Sequence, residues 1–184
     1  MDNKINNVNF YLKNKFRCNI KNQDSYSNVK RIIVIGDIHG DMNILIRCLI
    51  KARVINRQNK WIGNDTHVVQ LGDILDGGGR GTTFKSNPME EFQIYDFLNN
   101  LDIEARNNGG RVHYLIGNHE LMNLEGDFRY VHNTHLSHTG VNIRRQLFKP
   151  GGYMANMLAC HAYGVLKINK WYFCHAGLLP THVT

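Results

Sequence analysis

Three short polar segments contain residue types that bind metal ions and transfer protons. Their sequences are Gly-Asp-Ile-His-Gly at 36–40, Gly-Asp-Ile-Leu-Asp at 72–76 and Gly-Asn-His-Glu at 117–120. A fourth, His-Ala-Gly-Leu, stands at 175–178. Such a mixture of oxygen and imidazole ligands suits Mn, Fe or Zn, because imidazole favours transition metals. The four motifs therefore predict a transition-metal site whose ligands come from distant parts of the chain.

Five side chains in these motifs are candidate metal ligands. Asp37 and His39 are two residues apart, so both can reach a single cation. Asp73 can bridge two cations with its two oxygens, while Asn118 offers an amide oxygen and His175 an imidazole nitrogen. Two ions about 3.5 to 4 Å apart would hold a phosphate and turn a bridging water into hydroxide near neutral pH. The set predicts a two-metal centre.

His119 and Asp76 are the candidate acid pair. His119 directly follows Asn118, so its ring can face a leaving group while Asn118 faces metal. Asp76 could hold the ring nitrogen of His119 and keep the imidazole protonated until it donates to the departing alkoxide. A proton donor beside a source of hydroxide is what ester hydrolysis requires.

Apolar segments precede all four motifs and are predicted to be strands. They are residues 32–35, 68–71, 112–116 and 171–174. Short apolar runs without strict alternation are typical of strands buried on both faces, in a sheet covered by helices. The carboxyl edge of an open α/β sheet collects polar groups from several strands around one crevice. We therefore expect the four strands to direct their motifs toward one point.

Helices and turns are predicted around these strands. Asp41 can cap a helix whose apolar residues recur with helical spacing from Met42 to Ile50. Asn87 as N-cap and Pro88 as the first helical residue predict the start of a second helix. The other expected elements are one turn of structure at 8–12, a helix end at 107–110, a helical turn and loop at 121–131, helices at 141–148 and 153–160, and a β-hairpin of 165–168 with 171–174.

The charge is concentrated near the N-terminus of this chain of 184 residues. The formal charge is +7, and seven basic against two acidic residues up to Arg31 account for +5 of it. We therefore divide the chain into a loose, basic and polar leader, residues 1–30, and one domain, residues 31–184. A solvated leader explains the charge, so a nucleic-acid partner is not expected. The sequence has no membrane-spanning run and no signal peptide, which predicts a cytoplasmic protein.

The cysteines and the remaining histidines show no metal-site spacing. The four cysteines form no Cys-x-x-Cys pair, which favours reduced, buried thiols over a disulfide framework. Histidines recur at 132, 135 and 138 with no cysteine or carboxylate to complete a zinc site, so we expect a solvated loop there. Packing or surface roles are expected for His67, His113 and His161. For Glu120 and Glu125 two roles stay open: each could hold a metal ligand in position, or each could be a charged residue on the surface.

The motifs resemble those of the calcineurin-like metallophosphoesterase superfamily, GDxHG, GDxxDRG and GNHE. The run 117–131 is similar to the Shewanella-like branch of the phosphoprotein phosphatases, and 173–178 to a later His-Gly-Gly motif of that family. Over residues 31–184 this resemblance implies an α/β (α+β) fold, a β-sandwich flanked by helices. It also implies hydrolysis of phosphomonoesters, commonly on phosphoproteins, at serine, threonine or tyrosine. The roles that it implies are Asp37 and His39 on the first metal, Asp73 as bridge, Asn118 and His175 on the second metal, and His119 with Asp76 as the acid pair.

The sequence departs from the family pattern in two places. Gly77 stands where the family has an arginine that clamps phosphate oxygens with its planar fork. Arg80 is the candidate replacement, and a solvated loop arginine is the alternative. Family members also continue past the His-Gly-Gly motif to a further metal-binding histidine and another phosphate-binding arginine, whereas this sequence stops at Thr184. We therefore expect an incomplete C-terminal side, with a complementing C-terminal fragment as a partner.

Two other functions stay open beside a phosphatase for proteins or small phosphoesters. A dinucleoside polyphosphate hydrolase or nuclease of the same superfamily would use the same metals, and Gly77 and the basic leader favour it. The run 122–131 argues against it. A catalytically impaired binding module is the third interpretation, motivated by Gly77 and by the end of the sequence at Thr184.

Overall fold

The structure is a computed structural model that describes residues 8–18, 23–77, 87 and 89–182. The α-helices in these ranges are α1 (Val8–Lys13), α2 (Met42–Lys51), α3 (Glu90–Arg106), α4 (Asn118–Glu125), α5 (Asn133–Thr139), α6 (Val141–Phe148) and α7 (Tyr153–His161), and Pro180–His182 form a short 3-10 helix. The strands are β1 (Ser25–Tyr26), β2 (Ile32–Ile35), β3 (His67–Gln70), β4 (Arg111–Leu115), β5 (Ala162–Tyr163), β6 (Leu166–Ile168) and β7 (Trp171–Phe173). Within the same ranges, no helix is long and apolar enough to cross a membrane.

The larger sheet is parallel and contains the first three predicted strands. Its strand order is β2-β3-β4-β5. Ile35 lies opposite Gln70, and Gln70 lies opposite Tyr114, so β2, β3 and β4 run in step. All four residues of β3 are buried, including the polar residues His67 and Gln70 at its two ends. The three motifs that follow these strands therefore leave the sheet at one edge.

The smaller sheet brings the fourth motif to the site from a different layer. Its order is β1-β6-β7, and β6 and β7 form the predicted antiparallel hairpin. Asn169 in the hairpin turn has a φ of 56°, in the left-handed region that tight hairpin turns require. His175 follows β7, so it approaches the parallel sheet from the second sheet of a sandwich.

Two hydrophobic clusters hold the layers together. Val69 of β3, Leu115 of β4 and Ile168 of β6 pack between the two sheets and are fully buried. On the other face of the larger sheet, Leu45 of α2 and Ile94 of α3 are fully buried in the larger cluster. Because apolar side chains fill both interfaces, both faces of the larger sheet are covered. The predicted α/β fold, with sheets flanked by helices, is confirmed.

Most of the predicted helices are present, with one shifted start. Asp41 caps α2 as predicted, and its Oδ1 accepts a hydrogen bond of 2.9 Å from the backbone of Ile44. The helix predicted from Asn87 begins at Glu90 instead. Asn87 still accepts a hydrogen bond of 3.1 Å from the backbone of Met89, so it supports the turn that leads into α3. Helix α6 has the predicted bounds.

The region after the third motif is more helical than predicted. Helix α4 starts at Asn118, within the motif itself, and α5 replaces the solvated loop that we expected around three histidines. His135 is fully buried, and its Nδ1 lies 3.1 Å from Oε2 of Glu91. The loop prediction was wrong because Glu91, the buried carboxylate that contacts His135, lies far from it in the sequence. Packing or surface roles were expected for His67 and His113, and both side chains are buried.

Parts of the predicted leader pack against the domain. The turn of structure expected at 8–12 is helix α1. Tyr11 is only 2% exposed, and its hydroxyl donates a 2.6 Å hydrogen bond to Oδ2 of Asp96 on α3. Strand β1 pairs in parallel with β6. The described parts of residues 1–30 are therefore not loose, because apolar residues among the polar ones supply contacts with the domain.

The prediction of reduced, buried cysteines is wrong: two cysteines form a disulfide, and neither of the two free cysteines is buried. Cys18 and Cys160 form a disulfide across 142 residues of sequence, which links the leader to α7. Cys48 is exposed on α2, while Cys174 is a partly exposed free thiol. Spacing could not reveal the disulfide, because its two cysteines meet only through tertiary packing. The cysteines therefore give no argument for a reducing compartment.

Candidate metal centre

Side chains of the four motifs that could bind a metal converge at the edge of the larger sheet. His39, Asp73 and His119 form one group, and Asp37, Asp73 and His175 form another. In each group the nitrogen and oxygen atoms that could bind a metal lie within 4.8 Å of one another. Asp73 belongs to both groups, so a carboxylate is shared between two adjacent positions for an ion.

The loops that carry these side chains have unusual backbone geometry. His39, Asp73 and Asp76 have φ values of 49°, 53° and 68°. The left-handed region is costly for residues other than glycine, and it persists only where the surroundings fix it. Here the first loop is bound to the second, because the backbone amides of Ile38 and His39 each donate to the carbonyl of Asp73 at 3.0 Å.

Glu120 organises the loop of Asp73 from inside the protein. Its buried carboxylate accepts hydrogen bonds from four backbone amides, at distances of 2.7 to 3.1 Å: those of Asp73, Ile74, Leu75 and Gly117. Burial raises the pKa of Glu120, and the bonds from these backbone amides oppose that rise. The role of Glu120 could not be decided from the sequence. In the structure its carboxylate anchors the loop of Asp73 through these hydrogen bonds.

Gly117 is needed at the point where two motifs touch. A Cβ atom there would lie 2.2 Å from Oδ1 of Asp73 and 2.6 Å from the backbone nitrogen of Asp73. No residue with a side chain fits without displacing the carboxylate. Since Oδ1 also accepts a 3.0 Å hydrogen bond from the backbone of His119, the position of Asp73 depends on close approach of the two loops.

The two candidate histidine ligands are oriented in the same way. Nδ1 of His39 lies 3.0 Å from the carbonyl of Leu75, and Nδ1 of His175 lies 2.8 Å from the carbonyl of Leu71. A carbonyl oxygen can only accept, so each neutral imidazole carries its proton on Nδ1. The unprotonated Nε2 then faces the cluster, which is the arrangement that a metal-binding histidine requires.

The surroundings of His175 fit a cation. Its Nε2 lies 3.0 Å from Oδ1 of Asn118 and 3.3 Å from Oδ2 of Asp73. With the imidazole proton on Nδ1, these three atoms are all hydrogen-bond acceptors, and a positive ion between them would relieve their repulsion. The donor types suit a transition metal. The residues therefore fit the metal centre that the motifs predicted.

His119 and Asp76 are in direct contact beside this cluster. Nδ1 of His119 lies 2.9 Å from Oδ2 of Asp76. Its Nε2 lies 4.0 Å from Oδ2 of Asp73, so the other side of the ring faces the metal-binding groups. The ring of Tyr130 packs edge-on against the imidazole, with 5.3 Å between the ring centroids. One nitrogen of His119 is thus anchored and the other is directed into the site.

A charged network lies behind Asp76, and sequence reasoning did not identify it. Burial raises the pKa of Asp76 and nearby Glu91 adds to the rise, while Arg144, Asn123 and His119 oppose it. Burial also acts to raise the pKa of Glu91, but Arg144 and His135 outweigh it and hold that pKa well below its usual range. The shared cation of both carboxylates is Arg144, on α6.

The predicted site residues are close together wherever the structure describes them. The seven that converge are Asp37, His39, Asp73, Asp76, Asn118, His119 and His175. Arg80 lies outside the described residues. Gly77, at the position of the family arginine, is buried. Of the residues that reasoning from sequence missed, Asn123 is one helical turn after His119, a spacing that could have suggested contact.

Comparison with known proteins agrees with the motifs. The family model of the calcineurin-like phosphoesterases matches residues 30–183. Shewanella-like protein phosphatase 2 of Arabidopsis thaliana is 41% identical over 109 residues, which cover 59% of this chain and 25% of that protein. Shewanella-like protein phosphatase 1 of Plasmodium berghei (strain Anka) is 35% identical over 163 residues, which cover 84% of this chain and 42% of that protein.

Solved structures are similar as well. The crystal structure of the cold-active protein-tyrosine phosphatase of a psychrophilic Shewanella species aligns with a TM-score of 0.73 and 31% identity, covering 88% of this chain and 46% of that one. The chain spans less than half the length of each of these three proteins. The resemblance inferred from the motifs is confirmed, and because the family model covers most of the sequence, the chain belongs to the calcineurin-like phosphoesterase family.

Proposed function

We propose that this protein is a metal-dependent phosphatase that hydrolyses phosphomonoesters, with phosphorylated serine, threonine or tyrosine in proteins as the substrate. The observation that supports this most is the shared position of Asp73, which belongs to both candidate ligand groups and lies 4.0 Å from Nε2 of His119. A proton donor next to a bridged pair of ions is the arrangement that phosphoester hydrolysis uses.

The proposed ligands are His39, Asp37, Asp73, Asn118 and His175, with Mn, Fe or Zn as the ions. When bound, such ions would neutralise phosphate oxygens and supply a nucleophile from water near neutral pH. The side chain of Asp37 is 54% exposed, and Asn118 is exposed too. A substrate can therefore approach the ligands from solvent on this side.

His119 is the proposed general acid. With Nδ1 bound to Asp76, its Nε2 would donate a proton to the leaving-group oxygen as the ester bond breaks. His119 is 9% exposed and its ring packs against Tyr130, so the orientation of the ring is restricted. Arg80 remains the proposed phosphate clamp, because an arginine fork matches two phosphate oxygens.

Phosphoprotein substrates are supported by the relatives. Two are named protein phosphatases, and the solved structure is named a protein-tyrosine phosphatase. We also propose a complementing C-terminal fragment as a partner. Trp171 and Tyr172 on β7 are 58% and 60% exposed, and Leu179 beyond them is 60% exposed, so apolar surface is open beside the site.

The test is hydrolysis of p-nitrophenyl phosphate and of phosphopeptides by the purified chain with added Mn²⁺, together with measurement of bound metal. Asp73→Asn should lose bound metal and lower turnover at least about a hundredfold. Asp65→Asn is the matched control, because Asp65 is an exposed carboxylate that pairs with Lys30.

Three outcomes would contradict the proposal. Equal turnover by the wild type and by Asp73→Asn would show that Asp73 is not a ligand shared by two ions. Turnover of diadenosine polyphosphate or DNA without phosphopeptide hydrolysis would favour the alternative hydrolase or nuclease. A chain that binds no transition metal would favour a binding module.

A further inference from the structure

Arg144 is a buried arginine behind the His119–Asp76 pair. We propose that Arg144 is a positioning residue that fixes the Asp76 carboxylate, so that one oxygen of Asp76 stays aimed at Nδ1 of His119. The inference rests on the proposed function only in giving His119 a role in proton transfer. It goes beyond that function by adding a residue from α6, outside every metal-binding motif.

The guanidinium of Arg144 is fixed at three points on three different elements. Its Nε donates to Oδ1 of Asn123 on α4 at 2.7 Å, and its Nη1 donates to Oε2 of Glu91 on α3 at 2.9 Å. Its Nη2 donates to Oδ1 of Asp76 at 3.3 Å. A planar group that is held in three directions cannot turn without breaking a bond.

The two oxygens of Asp76 have different partners. Oδ1 accepts from Arg144, and Oδ2 accepts from Nδ1 of His119 at 2.9 Å. Nδ2 of Asn123 lies within 3.0 Å of both oxygens. Arg144 therefore acts on the oxygen that His119 does not use. Without Arg144, Oδ1 of Asp76 would lose a donor and Asn123 would lose the bond that holds its own Oδ1, so the carboxylate could rotate and the bond to His119 would no longer be fixed.

Glu91 completes the support from the backbone side. Its Oε1 accepts a 2.8 Å hydrogen bond from the backbone amide of Asp76, while its Oε2 accepts from Arg144. Arg144, Glu91 and Asp76 are all at most 1% exposed. Two buried carboxylates therefore share one guanidinium, and its removal would leave both without that cation.

The same burial excludes a direct role for Arg144 in substrate binding. The side chain is 0% exposed, and its guanidinium carbon lies 5.1 Å from the ring centroid of Phe148, 5.9 Å from that of Phe128 and 6.0 Å from that of Phe92. Such rings favour a cation and keep water away. Arg144 thus differs from the phosphate clamp proposed for Arg80, and it acts only through Asp76.

The first test observes His119 directly and needs neither metal nor turnover. In metal-free protein with ¹⁵N-labelled imidazoles, wild-type His119 should give one fixed form with a proton held on Nδ1 by Asp76. His119→Gln assigns the signal. In Arg144→Met the signal should average between the two tautomers, while the signals of buried His67 and His113 stay unchanged. Arg145→Met is the control, because Arg145 is the next residue and is exposed.

The second test uses the leaving group. A general acid matters more for phenyl phosphate, which has a poor leaving group, than for p-nitrophenyl phosphate. We expect kcat of Arg144→Met to fall about tenfold more on phenyl phosphate, within the range that general acids contribute, with little change in KM. An equal fall on both substrates, or an unchanged His119 signal, would overturn the proposal.

The two tests also distinguish a failure of the proposed function from a failure of the role proposed for Arg144, and a second variant covers the case in which Arg144→Met does not fold. A wild-type chain without turnover contradicts the proposed function, and the His119 signal still decides the role of Arg144. If Arg144→Met does not fold, Arg144→Lys keeps the buried charge but loses the fork. A folded Arg144→Lys protein with a wild-type His119 signal would overturn the proposal, and an averaged signal would support it.

Discussion

The Glu120 carboxylate accepts a 2.8 Å hydrogen bond from the backbone amide of Asp73, across 47 residues of sequence. It joins the loop after β3 to the first turn of α4. Because the same side chain also accepts from Gly117 at 2.7 Å, the two strand-end loops share one buried anchor. The candidate ligands Asp73 and Asn118 are therefore positioned by a residue that would itself touch no metal.

Replacing Glu120 with glutamine should loosen this anchor. A carboxamide presents an NH₂ group where the carboxylate presents an oxygen, so it would turn donors toward backbone amides that are also donors. We expect the free energy of unfolding to fall by about 1 to 3 kcal/mol. Metal affinity should fall about 10- to 100-fold. Urea unfolding and metal titration measure these changes. Glu125→Gln, on the exposed side of α4, should change neither, and matching results for the two variants would refute the anchor role.

Gly117→Ala tests the close approach between loops. The new Cβ would meet Oδ1 of Asp73 at 2.2 Å, so the carboxylate must move. We expect metal affinity to fall at least about tenfold, with helical content retained by circular dichroism. Gly164→Ala is the matched control, since its added Cβ would have no neighbour within 4 Å. Unaltered metal binding in Gly117→Ala would show that Asp73 is not held as the structure indicates.

The strand-end loops of the site could be predicted because their signals are local. Each apolar strand and the motif after it are continuous in sequence, and the order of these units places Asp37, Asp73 and Asn118 at one edge. The buried residues that hold the His119–Asp76 pair in position could not be predicted in this way. Arg144 lies on a helix, where an arginine is usually exposed, and its partners Glu91 and Asp76 come from other elements. Only tertiary packing brings the three together.

The same limit applies to His135 and to the disulfide. The spacing of the three histidines at 132–138 fits a loop as well as a helix, and the carboxylate that contacts His135 lies on α3. Cys18 was placed in a leader that looked polar, yet Tyr11 in that leader is only 2% exposed. The composition of a segment is an average over all its residues. One buried aromatic residue therefore does not change the prediction that a mostly polar leader is loose.

Acid should destabilise the protein through a buried histidine pair far from the metal ligands. Nε2 of His113 lies 3.1 Å from Nδ1 of His67. Burial, reinforced by Arg111, lowers the pKa of His67 to about 4 and the pKa of His113 to about 2. The unfolded chain, with imidazole pKa values near 6.5, binds more protons below that pH. Stability should therefore be full above about pH 6.5 and fall as the pH drops toward 4, by about 3 kcal/mol for His67.

Urea unfolding at several pH values measures this loss. His67→Gln should flatten the decline between about pH 6.5 and 4, because the unfolded chain then lacks an imidazole that takes up a proton in this range while the folded protein does not. His138→Gln provides the control, since His138 is exposed on α5. If both variants keep the wild-type slope, the buried pair is not the source of acid sensitivity.

The disulfide between Cys18 and Cys160 should stabilise the folded chain. It closes a loop of 142 residues, which restricts the unfolded state more than the folded one. Cys18→Ser combined with Cys160→Ser should lower the free energy of unfolding by about 2 to 4 kcal/mol, measured with urea under oxidising conditions. Adding a reductant should destabilise the wild type by a similar amount and leave the double variant unchanged. Cys48→Ser, which removes an exposed free thiol, should behave as the wild type does. Mass spectrometry of unreduced peptides that finds no link between the two cysteines would contradict the pairing.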